Sequence, residues 1–343
     1  MLRKLKTKLA VSLILCLCLL QFNTTNAANS TGEIIQVDLT GKGIAVRLHE
    51  PVLKQFPGVN TKFVRIRDDF SLNNEQVEQS VDWLFLGTPV YKQKNHILNS
   101  LGKYKGILCE KPVGLSAKEI QDIKEHLTES NTVFRVNYAL RFVPVMQEVL
   151  NFLNHNEVKS ISMTCNANFN LNQGNSALWK KDQKLGGGIL YSIFPHLIDT
   201  LNFLGYEFNP ETVDFLSESP VPMDNIKVSG SSSGGIPMGV NIDLCQTFDE
   251  LSIKIETESK IVFFDLVDQK NISQNLRYPN GTLSATSDIS PWKVGFEELL
   301  KILFSNPNES KLAKIEDAEK VHKVIDAILS KVKTPESSTP ILR

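Results

Sequence analysis

The chain has 343 residues, 41% of them hydrophobic and 22% charged, with 37 lysines and arginines against 38 acids and a formal net charge of −1. This balance excludes a disordered or fibrous chain and leaves room for two globular domains. It also excludes the strongly basic surface that nucleic acid demands of a partner.

Residues 1–27 stand apart from the rest. Arg3, Lys4, Lys6 and Lys8 precede the apolar run Leu9 to Leu20, and Thr25-Asn26-Ala27 offers small residues for cleavage before Ala28. These are the three parts of an export signal. The apolar run is short against the roughly 20 residues of a membrane span, so the expectation is a cleaved signal, a mature chain without a stable span, and a secreted or periplasmic location. Cleavage removes four cations and no acid, which takes the net charge from −1 to −5. Cys109, Cys165 and Cys245 then remain, an odd and widely spaced set unlike a disulfide framework.

From Glu33 the run Ile34 to Leu39 predicts a strand, Thr40-Gly41-Lys42-Gly43 a turn, and Ile44 to Phe56 a helix. A second strand, Thr61 to Ile66, ends at Arg67-Asp68-Asp69 and completes a βαβ unit. A third strand, Val81 to Leu86, stops at Gly87-Thr88-Pro89. A helix follows through Leu101, and a fourth strand, Gly106 to Cys109, delivers Glu110-Lys111-Pro112. Ser116 and Glu119 form a capping box for a helix ending near Thr128, and Val133 to Tyr138 is a further strand. This alternation predicts a doubly wound parallel sheet, shortened, over 32–142.

Beyond Pro144 the pattern changes to one helix and then strands at Ser160 to Phe169, Thr212 to Ser217, Ile226 to Ser229, Met238 to Phe248 and Leu251 to Thr257. Consecutive strands predict an α+β domain over 143–334 with an open, mainly antiparallel sheet. Gly230 to Pro237 reads as a loop. Helices Trp292 to Phe304 and Ile315 to Val332 close the chain before a tail over 335–343. An exposed sheet is a surface for self-association, so a homo-oligomer is a partner to test.

Gly41-Lys42-Gly43-Ile44-Ala45-Val46 follows a strand and opens a helix, the context in which backbone amides face a pyrophosphate. The third glycine of a dinucleotide fingerprint is absent, and simple strand-to-helix turning explains the segment equally well. Asp68, at the end of the second strand, is placed for a ribose hydroxyl, whereas Arg65 and Arg67 suit a 2′-phosphate. NAD and NADP therefore both stay open. The six histidines show no paired ligand spacing with cysteines or carboxylates, and no metal is expected.

Thr88-Pro89, Glu110-Lys111-Pro112, the Arg141-Phe142 segment, Trp179 ahead of Gly186-Gly187-Gly188, and Pro195-His196-Leu197-Ile198-Asp199 together resemble the glucose-fructose oxidoreductase, inositol dehydrogenase and rhizopine-catabolism (Gfo/Idh/MocA) family. The resemblance runs from about Glu33 to Val332. It implies a Rossmann domain followed by a domain whose sheet carries the substrate site, with NAD or NADP as cofactor and a sugar or polyol as substrate. Carried onto this chain, it makes Lys111 and His196 the proton-handling pair. It gives Gly41, Gly43, Asp68, Thr88, Pro89, Glu110 and Lys111 to the cofactor, and Arg141, Ser192 and Asp199 to the substrate. Asp199, one turn after His196, has the spacing to orient it.

Three departures from the family pattern bear on activity. Ser192 replaces an aspartate four residues before the histidine, with Phe194 in place of a glycine between them. Only about a dozen residues separate Asp68 from Val81, where relatives place a helix and an edge strand around the adenosine. Val46, in the third-glycine position, predicts a helix held off the strand and a crowded pyrophosphate site. Two readings follow: an exported oxidoreductase acting on a sugar or polyol hydroxyl, or a non-catalytic descendant that binds carbohydrate or serves in assembly.

Overall fold

The computed structural model describes residues 34–65, 81–168, 179–180, 182–214, 225–267, 270–273 and 290–331. The export signal and Asp68 lie outside the described residues. Five short strands form the first sheet: β1 (Ile35–Thr40), β2 (Val59–Phe63), β3 (Trp83–Leu86), β4 (Gly106–Glu110) and β5 (Val133–Asn137). All pair in parallel, in the order β2-β1-β3-β4-β5. Parallel neighbours require crossovers, and the intervening helices are α1 (Glu50–Leu53, entered through a π-turn at Ala45–His49), α2 (Val90–Leu98) and α3 (Ala117–Thr128). Ser116 caps α3 by accepting from the Glu119 amide at 3.3 Å, while the Glu119 carboxylate reaches back to the Leu115 amide at 2.8 Å. The capping box is thus closed one residue earlier than its usual form.

Alternate residues of this sheet enter two separate apolar layers, as the two-residue period of a strand requires. Ile35, Val37, Leu39, Trp83, Phe85 and Leu108 face one layer, and Leu84, Leu86, Ile107, Cys109, Phe134 and Val136 face the other. The first layer is closed by a helix from the far end of the chain, α7 (Pro291–Ser305), through Phe296, Leu299, Leu300, Leu303 and Phe304. A side chain at Gly295 would meet the Ala139 carbonyl oxygen at 2.1 Å, so only glycine allows this helix its approach. The segment after α7 is fastened to β5, with Arg135 donating to the Pro307 carbonyl at 2.8 Å and the Val136 amide to that of Ala313 at 3.0 Å. The boundary drawn at 142/143 from chain order is therefore crossed in space by α7.

After a short 3₁₀ turn (Ala139–Phe142) and α4 (Val145–His155) comes the second sheet. Its seven strands run β12-β11-β10-β6-β9-β8-β7, with β6 (Val158–Asn168), β7 (Phe208–Asp214), β8 (Asn225–Ser232), β9 (Pro237–Asp243), β10 (Cys245–Thr257), β11 (Ile261–Asp265) and β12 (Lys270–Ser273). Every pair is antiparallel except β6 with β9. Two expectations are corrected here. The Gly230 to Pro237 loop shrinks to the turn between β8 and β9, and Gly230 lies in the strand, where a side chain would strike the Asn209 carbonyl oxygen at 2.0 Å. The strand expected from Met238 to Phe248 instead ends at Asp243, and the next begins at Cys245. One face of this sheet is apolar and buried, through Ile161, Met163, Val240, Ile242, Ile253 and Ile255. The alternating residues Ser162, Thr164, Asn241 and Lys254 are half-buried or exposed, the pattern of a one-sided sheet.

Helix α8 (Ile315–Lys331) packs against α3 of the first half and α6 (Phe194–Phe203) of the second. His322 sits on its inner side, fully buried, with neither ring nitrogen hydrogen-bonded among the described residues. Burial pushes its pKa down to about 3 from 6.5. A depressed histidine contributes stability above its unfolded value that is lost as the pH falls, here between 6.5 and about 3, at up to ~1.4 kcal/mol per pH unit. His322→Leu removes two buried polar atoms without partners, each costing about 1–3 kcal/mol. The variant is expected to unfold at higher urea than the parent, with the gap wider at pH 5 than at pH 8.

Candidate functional site

Segments that follow β3 and β4 of the first sheet meet the glycine-rich segment of the second half and the short helix after it. Gly41, just beyond β1, has φ +98°, and a side chain there would lie 2.1 Å from the Gly87 carbonyl oxygen beyond β3. A residue other than glycine would be strained both by that contact and by its backbone conformation. A side chain at Gly43 would meet nothing within 4 Å, so the approach to its backbone is open. Gly186, at φ +79°, closes on Val90 and Leu115. Gly188 donates its amide to the Lys180 carbonyl at 2.9 Å. The glycine run therefore spans from the Lys180 backbone to the first turn of α2, directly after Thr88-Pro89.

Val46 does not crowd the turn. It is 45% exposed, and the wholly buried residue is Ala45, which lies against Gly87. Ala45, one position before Val46, is the small side chain that packs beside Gly87. The crowding expected from Val46 is corrected accordingly. Phe194, which stands in place of a glycine, is wholly buried in the apolar core.

Lys111 leaves the end of β4 and donates its ammonium to the backbone carbonyl of Ser192. Burial pushes its pKa down to about 8, against the raising field of Glu110 and with a smaller lowering contribution from Lys180. Ser192 ends the short helix α5 (Ile189–Ser192), and its own hydroxyl is buried without a partner among the described residues. His196 lies on α6 after Pro195, which sits in the helix's first turn where the missing amide costs nothing. Its ring packs against Trp292 at 4.4 Å and edge-on to Tyr138 at 6.2 Å. Nδ1 of His196 and the Tyr138 hydroxyl are also buried and unpaired among the described residues. Burial, and then the charge of Lys111, hold His196 well below its ordinary pKa, so the ring is neutral at pH 7.

Other sequence-predicted site residues are engaged elsewhere. Arg141 and Asp199 hold each other in a buried fork, Nε to Oδ2 at 2.8 Å and Nη2 to Oδ1 at 2.5 Å, with Asp317 of α8 3.1 Å from the same Nη2. Both oxygens of Asp199 are taken, so neither residue is left facing a substrate, and Asp199 does not orient His196. The carboxylate of Glu110 points into the protein, where Oε1 accepts from Nε2 of His49 and Nδ2 of Asn137, each at 2.7 Å. The Thr88 hydroxyl sits 2.9 Å from Nδ1 of His96, whose pKa burial and Lys92 push down to about 4. Trp292, Tyr138, His49 and Asn137 come from distant segments that carry no local motif, and sequence reasoning does not find them.

The first half of this arrangement matches a family model described as an oxidoreductase family with an NAD-binding Rossmann fold, over residues 54–138. Among curated proteins, glucose-6-phosphate 3-dehydrogenase of Bacillus subtilis (strain 168) is 28% identical over 156 residues, 42% of each chain. The 2,7-anhydro-N-acetylneuraminate hydratase of Escherichia coli (strain K12) is 27% identical over 138 residues, 40% of this chain and 36% of that protein. The chain thus spans about two fifths of the length of the curated relatives it matches. A solved levoglucosan dehydrogenase in complex with NADH and levoglucosan shares the fold over 88% of this chain and 97% of its own, with a TM-score of 0.69 at 14% identity. In its parallel five-stranded sheet, the glycine turn at its switch point and these matches, the chain is similar to the Gfo/Idh/MocA oxidoreductase family, whose model covers residues 54–138.

Proposed function

We propose that this protein is an exported NAD(P)-dependent oxidoreductase acting on a secondary hydroxyl of a sugar or polyol. The observation that carries the reading is the bond from Lys111, at the end of β4, to the Ser192 carbonyl, one helical turn before His196, which joins the two halves of the chain. Export rests on the sequence of residues 1–27 alone. No helix among the described residues is long and apolar enough to cross a membrane.

The residues present fit a dinucleotide. Gly43 leaves its backbone approachable, Val46 stands clear, and unpaired polar atoms of Ser192, Tyr138 and His196 remain to be satisfied. The turn Gly41 to Gly43 and the Thr88-Pro89 segment would hold the dinucleotide, which when bound supplies the hydride acceptor. His196, neutral and deprived of solvent, is suited to take the hydroxyl proton. Lys111, an ammonium at neutral pH, donates to the hydroxyl oxygen and, through its bond to the Ser192 carbonyl, fixes the spacing of the two halves. Ser192 brings a hydroxyl but no charge to its position.

A second reading, carbohydrate binding without turnover, draws support from that same absent charge at Ser192. Titration of the purified mature protein with NADH and NADPH, by fluorescence and calorimetry, separates the two. Saturable binding below millimolar cofactor is expected, and no binding at about 1 mM, a free energy near −4 kcal/mol, removes the dehydrogenase reading.

A further inference from the structure

Behind Lys111 lies a buried polar cluster that none of the roles above employs. His49 is 1% exposed, stacked on Phe296 at a ring distance of 4.8 Å and edge-on to Phe85 at 5.9 Å. Its Nε2 meets Glu110 Oε1 at 2.7 Å, while its Nδ1 is buried without a partner among the described residues. The Glu110 carboxylate can only accept, so Nε2 of His49 donates the hydrogen of that bond. Asn137, at the end of β5, supplies the second donor to the same oxygen. Glu110 thus accepts two buried hydrogen bonds in an apolar surround and precedes Lys111 in sequence.

We propose that His49 and Asn137 are positioning residues that lock Glu110 as an anion beside Lys111, so that Lys111 keeps its proton at the pH where the site works. The π-turn gains a purpose from this. It is the irregularity that carries His49 from the helix after the glycine turn across to the end of β4, tying the two binding elements together. Burial alone would raise the Glu110 pKa, yet the His49, Lys111 and Asn137 contacts outweigh it and hold the carboxyl below its ordinary value. The other charged and titratable groups facing this pair are His196 from α6, Lys180 from the segment before Gly186, and Cys109 from β4 itself. Lys180 is cationic, so among the charged groups that act on Lys111 in the described residues Glu110 alone favours its ammonium form, beside the Ser192 carbonyl that accepts from it.

The catalytic meaning of this cluster rests on the dehydrogenase reading, but its electrostatics can be measured without turnover. The intact chain, with lysines reductively methylated with ¹³C, is titrated by NMR, and the Lys111 signal is identified by its loss in Lys111→Arg. Glu110→Gln is expected to lower the Lys111 midpoint by about 1 pH unit, the effect of removing an opposite charge at close range. His49→Phe and Asn137→Leu are expected to move it in the same direction. His49→Gln, whose side-chain amide can still donate, is expected to keep the parent value. Should His49→Phe fail to fold, the near-isosteric Glu110→Gln and His49→Gln carry the comparison. An unmoved midpoint in folded Glu110→Gln overturns the proposal. A shifted midpoint in a protein that binds no NADH upholds the cluster and removes the dehydrogenase reading, whereas NADH binding with an unmoved midpoint removes the cluster's role alone.

Discussion

Replacing Arg141 with leucine is expected to destabilise the protein by about 3–5 kcal/mol, the cost of leaving one partner of a buried ion pair without the other. The guanidinium is 3% exposed and Asp199 1%, and two hydrogen bonds join them in a fork. Arg141 belongs to the 3₁₀ turn that ends the first half, Asp199 to α6, and Asp317 to α8, so three segments far apart in the chain are pinned at one point. The deficit carries a pH signature. Burial raises the Asp199 pKa from 3.8 to about 6 even with Arg141 pulling it down, and without Arg141 it rises further. An acid whose folded value is raised favours the folded state below its unfolded value and loses that contribution as the pH climbs. Urea unfolding of Arg141→Leu should therefore show a deficit that grows as the pH rises above about 6, where the parent's Asp199 ionises and the variant's does not. Pairing Arg141→Met with Asp199→Leu should recover much of the loss, because both charges then leave the interior together.

Replacing His196 with alanine is expected to reduce turnover by about 10²- to 10⁴-fold, the usual contribution of a positioned proton acceptor. NADH affinity should change far less. The ring is reached from Trp292, Tyr138 and the Lys111 field, and none of these offers a second group to take the proton. On the dehydrogenase reading, activity of the parent protein should fall as the pH rises through about 8, where Lys111 gives up its ammonium. On the acid side His196 stays neutral well below 6.5, so activity should persist there. In Lys111→Met the alkaline limb should vanish along with most of the rate. A parent profile flat from pH 6 to 10 would contradict this assignment of roles.

The two-sheet architecture was legible because each βα unit announces itself locally. Apolar runs stop at Gly87, Lys111 and Gly41, and Ser116 caps its helix as its spacing with Glu119 foretells. Lys111 and His196 stand out in the sequence for a similar reason, since each sits inside a short motif, and their catalytic roles remain part of the proposal. The misreadings have a common cause, a long-range contact overriding a local pattern. Asp199 has the helical spacing to serve His196, yet the full charge of Arg141, 58 residues earlier, claims both of its oxygens. Val46 occupies the third-glycine position in the sequence, but it is Ala45, one residue earlier, that lies buried beside Gly87. Gly230 sits in a serine-rich stretch that resembles a loop, and only the nearness of Asn209 reveals why glycine is needed inside a strand. His49, Asn137 and Trp292 carry no neighbouring motif, so their place in the site depends wholly on tertiary geometry.

The closure of the first sheet by α7 sets a condition on how the chain can be made. Leu39, Phe85 and Leu108 are sealed by Phe296 and Leu300, and β5 is fastened by residues near Pro307 and Ala313. A ribosome or a translocation channel delivering the chain from its amino end releases the whole parallel sheet with one oily side bare, and must then thread some 150 further residues before the cover arrives. Such late closure favours slow, non-local assembly. It makes the newborn first half a natural client for a holding chaperone, and it means that a fragment cut at the apparent domain boundary would be sticky rather than autonomous.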